Sequence, residues 1–186
     1  MAVLNVNPTR MELTRLKKQL STALRGHKLL KDKRDELMRQ FLDMIRETKT
    51  LREEVEERLK SVNNDFVLAS SVMSKEELDT ALLAPKQEVY LEASTRNVMS
   101  VDIPVYSFKT RTSEQSDIFS YGFASTSFEL DDAVSGLSDL LPKMLKLAEM
   151  EKSVKLMADE IEKTRRRVNA LEHVMICLLY TSDAAD

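Results

Sequence analysis

The chain has little of what interrupts a helix. Three glycines and four prolines serve 186 residues, too few for the many turns of an all-β fold or for a Pro/Gly-rich linker. Tryptophan is absent and aromatics make up only 5%. One cysteine, Cys177, excludes an internal disulfide framework, and two isolated histidines, His27 and His173, argue against a His/Cys zinc site. The longest apolar run, residues 174–180, falls far short of the roughly 20 residues that cross a bilayer. No charged-then-apolar leader precedes Asn5, so no secretory signal is expected. Neither sign of charge dominates, with 28 Lys+Arg against 31 Asp+Glu and a net charge of −3. What is present is 42% hydrophobic and 32% charged residues, the composition of a soluble, intracellular, mainly helical protein.

No proline falls between Pro8 and Pro85, and no glycine between Gly26 and Gly122. Thr9 followed by Glu12 has the spacing of a capping box. From there Leu13, Leu16, Leu20, Ala23, Leu30, Leu37, Phe41, Met44, Leu51, Val55, Leu59, Val62 and Phe66 recur at three- and four-residue steps, a heptad seam. His27, Arg34 and Thr48 fill three seam positions. The four-four step through Leu51, Val55 and Leu59 shifts the register and should relax a left-handed supercoil locally. A helix from Thr9 to about Ser71 would be ~95 Å long at 1.5 Å per residue. A globule of this chain length has a radius of gyration of about 16 Å, so the sequence predicts a rod.

Ser74-Lys75-Glu76-Glu77 is a second capping box, opening a short helix that Pro85 stops. Val89, Leu91 and Ala93, then Val101, Ile103 and Val105, alternate with polar neighbours and predict two half-buried strands, with Pro104 pushing the second towards an edge. Residues 107–127 read as a loop holding at most a short helix. Helical periodicity resumes near Leu130, with a kink or break expected at Pro142. Leu147, Met150, Val154, Met157, Ile161, Val168, Leu171 and Met175 then carry a matching stripe, with Thr164 as a polar seam position. The fold class is therefore mainly α: a long antiparallel two-helix coiled coil with a small middle head of short helix plus β-hairpin. The boundaries are a first coiled-coil helix over 1–72, a head over 73–128, a returning helix over 129–176 and a tail over 177–186.

No catalytic constellation emerges. Glycines at 26, 122 and 136 cannot build a phosphate loop. His27 reads as a seam histidine and His173 as a surface or seam residue. Glu53-Glu54 and Glu56-Glu57 lie on a solvated helix face, whereas an acid/base pair needs a cleft. The seam methionines are core filler, and nothing beside Cys177 activates a thiol. No enzyme activity, cofactor or metal is expected. Charge is unevenly placed: residues 10–34 hold nine Lys/Arg against Glu12 and Asp32, Lys163-Thr164-Arg165-Arg166-Arg167 is a second basic cluster, and residues 114–132 hold five acids and no base. Aromatic stacking residues are missing from both basic clusters, which disfavours nucleic acid and leaves acidic protein surfaces or a solvated face.

Particular motifs add to this. Asn7-Pro8-Thr9-Arg10, Leu13, Leu16, Lys17, Leu20, Ala23, Gly26, Leu29-Leu30-Lys31 and Lys33-Arg34-Asp35-Glu36-Leu37, then Asn97-Val98-Met99, Ile103-Pro104-Val105 and Thr164-Arg165-Arg166-Arg167-Val168-Asn169-Ala170-Leu171-Glu172, resemble the D subunit of the V-type/A-type rotary ATPases over about residues 3–176. The resemblance implies a central rotor shaft of paired first and last helices inserted in a catalytic A/B hexamer, with a membrane-proximal head. It implies torque transmission between hexamer and membrane ion-translocating ring, serving ATP synthesis or proton or sodium ion transport. The implied partners are the catalytic A and regulatory B subunits, the F subunit and a stalk-to-ring connecting subunit. The location would be peripheral, on the cytoplasmic side of the membrane, reached only through the complex. Arg10, Lys17, Lys18, Arg25, Lys28, Arg165, Arg166, Arg167 and Asn169 are the candidate partner contacts.

The family's last helix normally continues past the position of Ile176, whereas residues 177–186 resemble nothing in it, which suggests a truncated or chimeric tail. Pairing Phe66 near Leu141 would set Leu178 opposite Leu29 and leave Leu13, Leu16, Leu20 and Ala23 uncovered, so the isolated chain is expected to self-associate or fray there. The rival readings are a free-standing helical-hairpin adaptor or prefoldin-like chaperone, which predicts exposed apolar tips, and a nucleic-acid-binding rod, which predicts steep salt dependence.

Overall fold

The computed structural model describes residues 9–111, 115–122 and 126–176. Helix α1 spans Arg10–Val72 and α2 spans Lys75–Leu82; strands β1 (Val89–Val98) and β2 (Val101–Thr110) follow. After a 3-10 turn at Gln115–Ile118, helix α3 runs over Phe128–Ala170 and passes into a π-helical turn, Leu171–Ile176. Asn7, Pro8 and the tail at 177–186 lie outside the described residues, as does the side chain of the expected seam residue Met175.

The helix starts are written in the sequence. The Thr9 hydroxyl accepts the Glu12 amide at 3.3 Å, which satisfies one of the first-turn donors that a helix leaves open. At α2 the capping box is complete: Ser74 Oγ accepts the Glu77 amide at 3.3 Å while the Glu77 carboxylate accepts the Ser74 amide at 3.0 Å. Hydrogen bonds from the Ser74 amide and hydroxyl to the ionised form hold the Glu77 carboxyl below the usual range, the amide contributing most.

Two compact units divide the chain. The first comprises the described parts of Met1–Asp43, Met99–Val101 and Lys155–Asp186. In it α1 and α3 pair antiparallel: Leu16 and Ala23 form a buried cluster with Leu20, Leu171 and Ile176 packed against it. Lys33 reaches Glu160 at 3.7 Å farther along both helices. Of the stripe expected to be bare, Leu16, Leu20 and Ala23 are thus covered. Ala23 lies by Leu171, whereas the anticipated pairing set Leu29 opposite Leu178, a register shift of about 13 residues, or between three and four turns.

The second unit comprises Met44–Val98 and Asp102–Val154. Its core joins three helices and the loop before α3: Ala69 and Met73 at the end of α1, Ala81 of α2 and Leu130 of α3 are buried together, with Tyr121 and Val134 against them. Here too the register differs from expectation. A Cβ on Gly136 would lie 2.7 Å from Val62 Cγ2, so α3 crosses α1 at Val62 through a glycine. Lys143 pairs with Glu54, and Arg52 reaches Glu151 at 3.5 Å. Phe66, expected in the seam, is 37% exposed, and the smaller Ala69 is buried in its place. A helix approach close enough to require Gly136 has room for Ala69 and none for a phenyl ring.

The break expected at Pro142 does not occur, since α3 continues through it. An interior proline costs ~3 kcal/mol through one lost hydrogen bond and a ring clash. Buried Leu130, Ala133, Leu140 and Ser153 anchor the helix on either side of the proline.

The two strands form one antiparallel hairpin sheet. Its turn puts two non-glycine residues in the left-handed region, Met99 at φ 52° and Ser100 at φ 71°, the backbone of a two-residue primed turn. Asn97 Nδ2 donates to Asp102 Oδ1 at 2.6 Å across the strand ends. On the outer edge of β2, the Tyr106 amide donates to Glu149 Oε2 of α3 at 2.9 Å. Pro104, two residues earlier and on the same edge, has no amide to offer. A carboxylate and a proline thus close an edge that would otherwise template aggregation.

Candidate partner interface

All nine candidate contacts belong to the first unit, and all are exposed: Arg10, Lys17, Lys18, Arg25 and Lys28 on α1, and Arg165, Arg166, Arg167 and Asn169 on α3. The heptad explains this. Burying Leu16, Ala23, Ile161, Thr164 and Val168 turns the intervening positions outward.

These cations are not equivalent. Arg25 Nε donates to the Ser21 carbonyl at 3.3 Å, and Arg166 pairs with Glu162 one turn earlier. Arg167 approaches Glu160 at 3.8 Å, and Glu160 also reaches Lys33 of α1. Glu160 keeps only 17% side-chain exposure, so it is a half-buried acid shared between two cations. Arg10, Lys18, Lys28 and Arg165 make no ion pair within 4 Å among the described residues. Sequence reasoning missed the bridge at Glu160, although the Glu160-to-Arg167 spacing of one heptad on a known seam was its available signal.

On this face runs an open groove of about 750 Å³, whose lining combines apolar Met11, Ala23 and Leu171 with Gly26 and with polar residues that include Arg15 and Lys18. Nothing lies within 4 Å of a Cβ built on Gly26, so this glycine leaves open space where Gly136 permits contact. Seam periodicity could not have shown the groove, because it depends on Ala23 and Gly26 of α1 leaving space beside Leu171.

Elsewhere the titratable groups are structural. The paired acids Glu53, Glu54 and Glu56 are exposed and engaged with Lys49, Lys143 and Arg52. Burial drives the Glu149 carboxyl upward, but hydrogen bonds from Lys146 and the Tyr106 amide, with the field of Arg96, outweigh it and leave the group lowered. Burial and then the Asp131 carboxylate, accepting from its hydroxyl at 2.8 Å, push the Tyr121 phenol up. Among the described residues no group of three His, Cys, Asp or Glu could hold a metal ion, and no helix is long and apolar enough to cross a membrane.

The geometry is that of an exposed basic face on paired helices, and comparison with known proteins decides the family. The family model for the ATP synthase D subunit matches residues 12–177. The chain belongs to the ATP synthase D-subunit family. It is 64% identical over 176 residues to the V-type ATP synthase D subunit of Acetivibrio thermocellus, covering 95% of this chain and 79% of that protein. It is 62% identical over the same length to that of Clostridioides difficile, again covering 95% and 79%. To the Clostridium novyi protein it is 56% identical over 177 residues, covering 95% and 82%. The matched region of this D-subunit family member takes in α1 from Glu12, the hairpin and all of α3; of the nine candidate contacts, Arg10 alone precedes it.

Proposed function

We propose that this member of the D-subunit family is a non-catalytic rotor of a V-type ATP synthase complex, transmitting torque between the catalytic A/B hexamer and the membrane ion-translocating ring. The observation that carries the reading is the 63-residue helix α1 with α3 antiparallel to it in each unit. A shaft must resist twisting, and two helices locked through a buried seam do so better than one. Its outer surface must also slide past equivalent partner positions. Exposed ion pairs of about 0–1 kcal/mol each suit such contacts, because none of them alone arrests rotation.

In this reading Arg10, Lys17, Lys18, Arg25, Lys28, Arg165, Arg166, Arg167 and Asn169 face acidic loops of the A and B subunits. The F subunit and a stalk-to-ring connecting subunit take the exposed apolar residues of the second unit, including Val67, Val72, Leu83 and Phe128. The protein acts peripherally on the cytoplasmic side of the membrane, reached through the complex. Those same apolar residues are what a helical-hairpin chaperone would present, so the test must separate the two. Pull-down of the chain by a separately prepared A/B hexamer with the F subunit is expected, together with loss of coupling when Arg165, Arg166 and Arg167 are replaced by Ala. Unchanged assembly and coupling of that triple variant would refute the role of the cluster. Failure to bind the hexamer, with suppression of aggregation of an unrelated unfolded protein, would favour the chaperone.

A further inference from the structure

His27 has no part in the surface described above. Its Nε2 is buried without a hydrogen-bond partner, while the side chain as a whole is 22% exposed and Glu172 Oε2 lies 3.7 Å from that nitrogen. This separation is too long for a hydrogen bond and short enough for an ion pair once the imidazole carries a proton. Glu172 belongs to the π-helical turn Leu171–Ile176, a geometry rarer than the α-helix and frequent where a helix serves a function.

We propose that His27 and Glu172 form a proton-operated clasp that holds the π-helical turn against α1. With the imidazole protonated, Nε2–H donates to Glu172 and the orphaned nitrogen is satisfied. With it neutral, the charge attraction is lost and the turn rests mainly on the apolar contacts of Leu171 and Ile176 with Leu16, Leu20 and Ala23. The proton comes from and returns to solvent. On α1, Lys28 and Lys31 flank His27 and oppose its charge, but both are exposed and screened by water. Lys33 is engaged by Glu160 and Arg34 by Asp35. From the returning helix, Arg167 turns to Glu160 and His173 is exposed, which leaves Glu172 as the acid facing the imidazole. Because the clasped state takes up the proton, its added stability is present where the imidazole is protonated and absent where it is neutral. This device stands independently of the rotor role.

The test is hydrogen exchange of the full chain, followed by mass spectrometry between about pH 5.5 and pH 8 and corrected for intrinsic rates. A peptide covering residues 168–176 should be about fivefold more protected at the acid end, and a peptide covering residues 130–140 should show no such difference. His27→Gln and Glu172→Gln should each flatten the dependence. Glu172 is 58% exposed, so its variant folds and decides the matter even where His27→Gln does not. A flat profile in the unaltered chain, or an unchanged profile in Glu172→Gln, would overturn the clasp.

Discussion

The two units solve one packing problem with different materials. In the second, α1, α2 and α3 converge, and closure is largely apolar: Leu130 and Ala69 are fully buried, Gly136 brings α3 onto Val62, and Ser127 just before α3 keeps a buried hydroxyl without a partner. In the first, among the described residues, two helices meet with only the hairpin tip, Met99–Val101, beside them. Its seam carries Thr164, fully buried, and His27, each with a polar atom lacking a partner, beside an open groove. A two-helix seam cannot close an apolar core around every position, so polar groups and small residues persist in it. The second unit is therefore the more fully enclosed by apolar side chains, and the first carries the exposed basic faces.

The sharpest way to break this contrast is truncation of matched leucines. Leu130→Ala should cost ~2–5 kcal/mol in denaturant unfolding, as for a fully enclosed side chain. Leu16→Ala, at the rim of a smaller cluster, should cost less than about 2 kcal/mol. Equal losses would erase the distinction. The two helical glycines should then differ in sign. Gly136→Ala drives a methyl into Val62, whose β-branched side chain has little rotamer freedom in a helix. Overpacking of ~1–3 kcal/mol exceeds a propensity gain of up to ~1 kcal/mol, so the midpoint falls. Gly26→Ala meets open space and keeps the gain, so the midpoint rises.

Smaller effects sharpen the comparison. Glu149→Ala strips the acceptor from the Tyr106 amide, and exchange at that amide should quicken about tenfold, for a loss of ~1–2 kcal/mol. Thr164→Val removes a buried hydroxyl that has no partner and should be neutral or raise stability by up to ~1 kcal/mol. The last effect is at the surface. Arg39, chiefly, and Gln40 hold the Glu36 carboxyl at about 2. Its folded-state pKa lies below the unfolded value, so its contribution is complete above the usual carboxylate range and disappears as pH falls towards 2. Because Glu36 is solvated, Glu36→Gln should shift acid unfolding only slightly, which pH-dependent melting curves can read.

Much of the architecture was legible in the sequence. Scarcity of proline and glycine exposed α1, the Ser74 box marked the start of α2, and alternation located both strands. Strand β1, however, is exposed rather than half-buried, and β2 runs on to Thr110 through the start of the expected loop. Register was not legible, because a heptad stripe slides by whole repeats with little change in pattern. Its arbiters were Gly136 and Ala69, whose importance is their smallness, while Phe66 drew attention by its size. The turn at Met99 and Ser100 carries no glycine, so the usual hairpin signal was missing. Continuity through Pro142 depends on burial either side of it, which no local rule contains. Candidate contacts were identified as charges on an outer face, and exposure alone follows from periodicity. The Glu160 bridge and the groove required the partner helix.

The central claim is antiparallel pairing of α1 with α3 in the register described, and the native ion pairs allow it to be read without mutation. Zero-length carbodiimide cross-linking of the monomeric chain, followed by peptide mass spectrometry, should join Lys143 to Glu54 and Lys33 to Glu160. Links confined to lysines and acids roughly two turns away from these pairs, or no link between the two helices, would contradict it.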